Sequence, residues 1–141
     1  MNRVGTIGLL LLLIAIPYIS SLGNRFVYDD HGSIEENPYL QKPSNFFRVF
    51  GLQTVSDSTV PDGQRPMVVL SYFFDRGLWG LNPAGYHVTN LLLHLLASGL
   101  LIRLISRITR SRTVSFFGFA VGLLFGLHPV LTEAVLVPAF R

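Results

Sequence analysis

The 141-residue sequence contains no cysteine, so neither a disulfide nor a thiolate metal site can form. Charge is scarce: 13% of residues are Asp, Glu, Lys or Arg, about half the share usual in soluble domains, roughly 25%. The scarcity is patterned. No charged residue occurs between Arg3 and Arg25, between Arg76 and Arg103, or between Arg112 and Glu133. Strand-like alternation is also missing, which excludes a membrane β-barrel. In lipid only helices and closed barrels satisfy their own backbone hydrogen bonds, so the charge-free runs read as helices.

A helix crossing the hydrocarbon needs about 20 mostly apolar residues. Val4 to Leu22 and Tyr86 to Ile105 meet that need. Thr113 to Leu127 is short, so it either continues past Pro129 as a kinked helix or ends early in a wet cavity. The expected class is therefore an all-α membrane protein with three transmembrane helices and a partly helical extracytoplasmic loop. The expected segments are residues 1–23 (first helix), 24–85 (outer loop), 86–105 (second helix), 106–112 (basic cytoplasmic loop) and 113–141 (third helix and outer tail). The first run has a rival reading as a cleaved signal peptide, because Ser20, Ser21 and Gly23 are small. Its charge-free stretch is long for that role, and Pro17-Tyr18-Ile19 carries it past any good cleavage site.

Arginine sets the orientation. Arg103, Arg107, Arg110 and Arg112 crowd one connection and Arg3 precedes the first run. The positive-inside rule places both in the cytoplasm and the segment Arg25 to Arg76 outside. The formal charge of +3 is then a topology signal, and nucleic acid is not an expected partner. The outer loop carries too many aromatic residues for a linker. Ser44-Asn45 ahead of Phe46-Phe47-Arg48-Val49-Phe50 suggests a short interfacial helix, and Pro66 to Asp75 a second leading into Trp79. Thr54 to Gln64 reads as loose from its polarity.

Asp29 and Asp30 are adjacent carboxylates at the outer end of the first span. Mutual repulsion raises one pKa and lets that group act as a base. The plainer reading is a solvated turn with a cap. His87, Asn90, His94 and Ser98 are spaced by three, four and four, which puts them on one helical face. They either join helices or line a substrate cavity. The joining role suits His94 and Ser98, which lie deeper. Gly118, Gly122 and Gly126 form a small face for close helix packing. His128 and Glu133 flank the break at Pro129, as a substrate-contact pair or as a helix cap. Arg65 is a candidate phosphate contact, with an ordinary surface arginine as the plainer reading.

Several motifs follow in a familiar order: Phe26-Val27-Tyr28-Asp29-Asp30, Asn37-Pro38, Arg65-Pro66, Leu78-Trp79-Gly80-Leu81-Asn82-Pro83, Gly85-Tyr86-His87, Asn90 through His94, and His128-Pro129 with Thr132-Glu133-Ala134-Val135. Over residues 26 to 141 the chain resembles the amino-terminal part of the transmembrane and tetratricopeptide-repeat O-mannosyltransferase family and its bacterial relatives, polytopic GT-C glycosyltransferases. That resemblance implies a catalytic role for Asp29 and Asp30. It also implies transfer of a sugar, mannose or similar, from a polyprenyl-phosphate donor to a protein hydroxyl or another acceptor on the extracytoplasmic side. Arg65, His87, Asn90, His128 and Glu133 would bind substrate, Arg65 or His87 facing the departing phosphate. No cofactor and no metal ligand is expected, although the carboxylates would also suit a divalent-metal scheme. The setting is a multi-pass protein of the bacterial inner membrane or endoplasmic reticulum, amino terminus in the cytoplasm. Family members continue for several more membrane helices, and three helices cannot enclose donor and acceptor. The chain therefore reads as a fragment, a split gene product or a degenerate paralogue. Alone it is expected to be inactive, with the remainder of the enzyme as a partner. The alternative is a non-catalytic membrane scaffold whose polar residues only pack helices.

Overall fold

The computed structural model describes residues 3–109 and 116–141. Arg110, Arg112 and the start of the expected third helix lie outside the described residues. Every regular element among the described residues is helical.

Helix α1 spans Arg3–Ala15 and passes into a 3₁₀ stretch, Ile16–Gly23. Pro17 sets that change, because its ring excludes the α-helical hydrogen bond. Gly5–Gly23 is long and apolar enough to cross a membrane. Leu9, Leu12, Leu13, Ile16 and Ile19 are exposed along it, which only a lipid surround makes favourable.

The outer loop has its own core. Phe26, Ile34, Leu40, Val49, Val69 and Tyr72 are buried together against Tyr86. A π-helical turn, His31–Glu35, and a 3₁₀ helix, Pro43–Arg48, precede the short α2, Leu52–Ser56. The stretch from Thr54 is tied down more than its polarity suggests. Thr54 is buried, its hydroxyl donating to the Arg48 carbonyl at 2.8 Å and meeting the Tyr39 hydroxyl at 2.9 Å. Helix α3, Pro66–Trp79, starts on a proline, whose missing N–H costs nothing in a first turn.

Helix α4, Pro83–Ile108, is the longest element at 26 residues, about 39 Å at the usual rise. Asn82 caps it by accepting the Ala84 N–H, and Pro83 opens it. It too is long and apolar enough to cross a membrane. Helices α5, Phe116–Gly126, and α6, Pro129–Leu136, form a third span only as a pair, bent by 55°. A helix break at Pro129 is present, as the sequence implies. His128 caps α6, its Nδ1 accepting the Val130 N–H at 3.2 Å.

Helix α5 packs on α4 through Gly122 and on α1 through Gly126. A Cβ at Gly122 would sit 2.6 Å from Ile102 Cγ1, and one at Gly126 would sit 2.5 Å from Ile14 Cδ1. Ile14, Tyr18, Leu91 and Val135 are buried together where α1, α4 and α6 meet.

Candidate functional site

The acidic pair lies where the outer loop, α4 and the tail after α6 converge. Tyr28 takes a left-handed backbone, φ 48°, which turns the chain back on itself. Asp30 then bonds reciprocally with Val27: its N–H donates to the Val27 carbonyl at 3.0 Å, and its Oδ2 accepts the Val27 N–H at 3.0 Å. Its other oxygen, Oδ1, accepts the Ala139 N–H at 2.8 Å. Asp30 is fully buried, whereas Asp29 is exposed. Burial pushes the Asp30 carboxyl above its ordinary pKa of 3.8, against the opposing pull of the Val27 and Ala139 N–H groups, His87 and His31. The two carboxylates thus have different environments, one able to meet an outside molecule and one holding the chain together.

His87 is fully buried, and neither ring nitrogen makes a hydrogen bond of acceptable geometry. It lies within the electrostatic reach of Asp30 and of the Val135, Asn24 and Arg25 backbones. Asn90 joins α4 to α6 by donating from Nδ2 to the Ala134 carbonyl at 2.9 Å, while its Oδ1 is unpartnered. His94 does the helix-joining work expected of it, bonding the Gly126 carbonyl at 3.0 Å and stacking on Phe125. Ser98 is equally buried but has no bond. All four therefore share the buried face that their spacing implies.

The other predicted site residues separate. Arg65 pairs with Asp62 at 3.1 Å and also donates to the Arg141 carbonyl. His128 is exposed and serves as the α6 cap; Glu133 is exposed on α6. Among the described residues no group of three His, Asp or Glu side chains is placed to hold a metal ion. A cleft of about 870 Å³ lies elsewhere, between Tyr39, Lys42, Arg48 and Asp57 in the outer loop.

Comparison with known proteins gives the arrangement a context. The chain is 30% identical over 131 residues to a protein O-mannosyl-transferase of Caenorhabditis elegans, covering 90% of this chain and 19% of that protein. It is 33% identical over 122 residues to protein O-mannosyl-transferase TMTC2 of Homo sapiens, covering 84% and 14%. It is 35% identical over 126 residues to protein O-mannosyl-transferase TMTC1 of Mus musculus, covering 84% and 13%. The chain is a relative of the protein O-mannosyl-transferases. It spans less than a fifth of the length of these relatives, as the 19%, 14% and 13% shares state. No family model matches it, and no solved structure matches it significantly.

Beside the acidic pair of this O-mannosyl-transferase relative lie Asp75, Arg141 and Tyr72, which the sequence alone did not single out. Arg141 pairs with Asp75 at 2.6 Å, and its guanidinium lies 4.7 Å from the centre of the Tyr72 ring. The Tyr72 hydroxyl donates to the Ala139 carbonyl at 3.2 Å. Burial pushes the Tyr72 hydroxyl well above its ordinary pKa, so it stays a donor. One signal was present: Asp75 is the only acid in α3, within an otherwise largely apolar stretch.

Proposed function

We propose that this chain is the part of a membrane glycosyltransferase that carries its acidic pair. The enzyme transfers mannose or a similar sugar from a polyprenyl-phosphate donor to a protein hydroxyl on the extracytoplasmic side. The relatives carry protein O-mannosyl-transferase names. The observation that carries the reading is the division of the pair, with Asp29 exposed and Asp30 buried with raised proton affinity directly beyond the first span. In the reaction the acceptor hydroxyl oxygen attacks C1 of the sugar. The bond from C1 to the phosphate oxygen breaks, and its electron pair leaves on the polyprenyl phosphate. The hydroxyl proton passes to one carboxylate of the acidic pair. The remainder of a longer enzyme of GT-C type completes the cavity.

The topology belongs to the same proposal: amino terminus and basic connection in the cytoplasm, residues 24–85 outside. Cysteines placed at Ser58 and Ser111 label from opposite sides of intact vesicles. Labelling of both from outside removes the topology.

The transfer reading is tested in the intact protein with a mannosyl polyprenyl-phosphate donor at matched protein levels. Asp29→Asn and Asp30→Asn lose transfer by about 10²- to 10⁴-fold if the pair supplies the base. A second reading, a membrane scaffold, is favoured by the joining bonds of Asp30, Asn90 and His94. Near-normal transfer by both Asn variants removes the acidic pair from the mechanism, and absence of transfer by the wild type selects the scaffold.

A further inference from the structure

We propose that Asp75 is a positioning residue for the acidic pair: paired with Arg141, it clamps residues 138–141 so that the Ala139 N–H holds Asp30. This inference rests on the transferase reading.

The clamp is a closed circuit of contacts. Asp75 in α3 meets Arg141 at 2.6 Å with only 2% and 6% of the two side chains exposed. The Asp75 Oδ2 lies off the N–H direction, so this contact is an ion pair in which position is held by charge. The Thr89 hydroxyl of α4 donates to Asp75 Oδ1 at 2.6 Å and is itself bonded by the Trp79 indole N–H at 3.3 Å. Three contacts then fix the tail beside Asp30. Tyr72 lies under the Arg141 guanidinium, the Tyr72 hydroxyl bonds the Ala139 carbonyl, and Arg65 donates to the Arg141 carbonyl. With the Ala139 carbonyl and residue 141 held, the Ala139 N–H points at Asp30 Oδ1.

The ion pair is the part of the circuit that can be removed without touching Asp30. A buried charge left alone is unfavourable, so Arg141 without Asp75 moves toward water and takes the tail with it. Asp30 then loses one of its two amide donors. The other groups facing it are His31 on its own turn, His87 on α4 and Tyr72 on α3; none of these is substituted, and Tyr72 alone loses contacts, to Arg141 and the Ala139 carbonyl. An amide donor favours the charged carboxylate, so its loss makes Asp30 harder to deprotonate.

The test uses the longer enzyme that carries this chain, in nanodiscs, as wild type, Asp75→Asn, Asp75→Glu and Arg141→Lys. Amide hydrogen exchange at Ala139 and the pH profile of mannose transfer are measured together. In Asp75→Asn the expected exchange is faster by about tenfold or more. The acidic limb of the rate profile moves up by on the order of one pH unit, and kcat falls while KM holds. Asp75→Glu restores both in part. If Asp75→Asn fails to insert, Arg141→Lys, which keeps the charge but loses the planar fork, carries the same expectation in weaker form. Unchanged exchange at Ala139 overturns the clamp. Faster exchange with an unmoved acidic limb makes the pair merely structural and overturns the positioning role. A wild type without transfer overturns the transferase reading and the positioning role with it, while the exchange measurement still judges the clamp.

Discussion

Tyr18 and His94 meet edge to face with ring centroids 5.5 Å apart, and both send a polar atom to one carbonyl, that of Gly126. A carbonyl only accepts, so His94 carries its proton on Nε2 and is neutral or charged with that nitrogen as donor. Tyr18→Phe removes one of two donors to the same oxygen and keeps the ring. The expected loss is about 0.6 kcal/mol, and no more than about 1.7, the range found for side-chain hydrogen bonds inside membranes. His94→Ala loses the bond, the Tyr18 contact and the Phe125 stack together, so its loss is larger. Unfolding of the purified protein in mixed micelles measures both.

Gly126→Val places carbon where Ile14 already sits, since even a Cβ would approach Ile14 Cδ1 at 2.5 Å. Overpacking of this kind costs about 1 to 3 kcal/mol. Ile14→Ala in the same chain restores part of that stability by clearing the space, although alone it is destabilising. The double-mutant cycle reads the coupling, and additive effects would refute the contact.

Asp30→Asn is not an innocent exchange. Both carboxylate oxygens accept a backbone N–H, and an asparagine must turn its NH₂ toward one of those two donors. One buried N–H is left unsatisfied, at about 1 to 3 kcal/mol. Asp29→Asn, on an exposed side chain, leaves stability within about 0.5 kcal/mol of wild type. Thermal unfolding separates this cost from any effect on transfer.

The raised proton affinity of Asp30 fixes the sign of a pH effect. Folded, the carboxyl holds its proton above the ordinary value of 3.8; unfolded, it returns to that value. Its contribution is therefore fully present below pH 3.8 and is lost as pH rises through the folded pKa. Asp57 acts in the opposite sense, its carboxyl lowered by bonds from the Thr59 hydroxyl and N–H, so the comparison must be made within one background. Across this interval the wild-type Tm falls relative to that of Asp30→Asn. Parallel Tm curves would remove Asp30 as the source.

The spans were legible because they depend on one-dimensional quantities, apolar length and the position of charge. The break at Pro129 was legible for the same reason, since a missing N–H acts locally. Helical spacing correctly grouped His87, Asn90, His94 and Ser98, all buried. The clamp was not legible. Asp75 and Arg141 are far apart along the chain, and nothing near either names its partner. Adjacency alone does not tell Asp29 from Asp30; the turn at Tyr28 sends one outward and one inward. Glu133 and His128 flank a helix break, which left a substrate-contact pair and a cap both open; the fold shows His128 as the cap of α6.

The bend between α5 and α6 also sets an order of assembly. In an unbroken helix the Gly126 carbonyl would take the N–H of residue 130, but that N–H is bonded to His128. An acceptor is thereby released among apolar side chains, and its two donors come from Tyr18 and His94, on segments that precede it in the chain. Synthesis runs from the amino terminus, so both donors have left the ribosome before Gly126 does. The broken segment enters a surround already equipped to receive it, whereas the same segment inserted first would face lipid with a bare carbonyl.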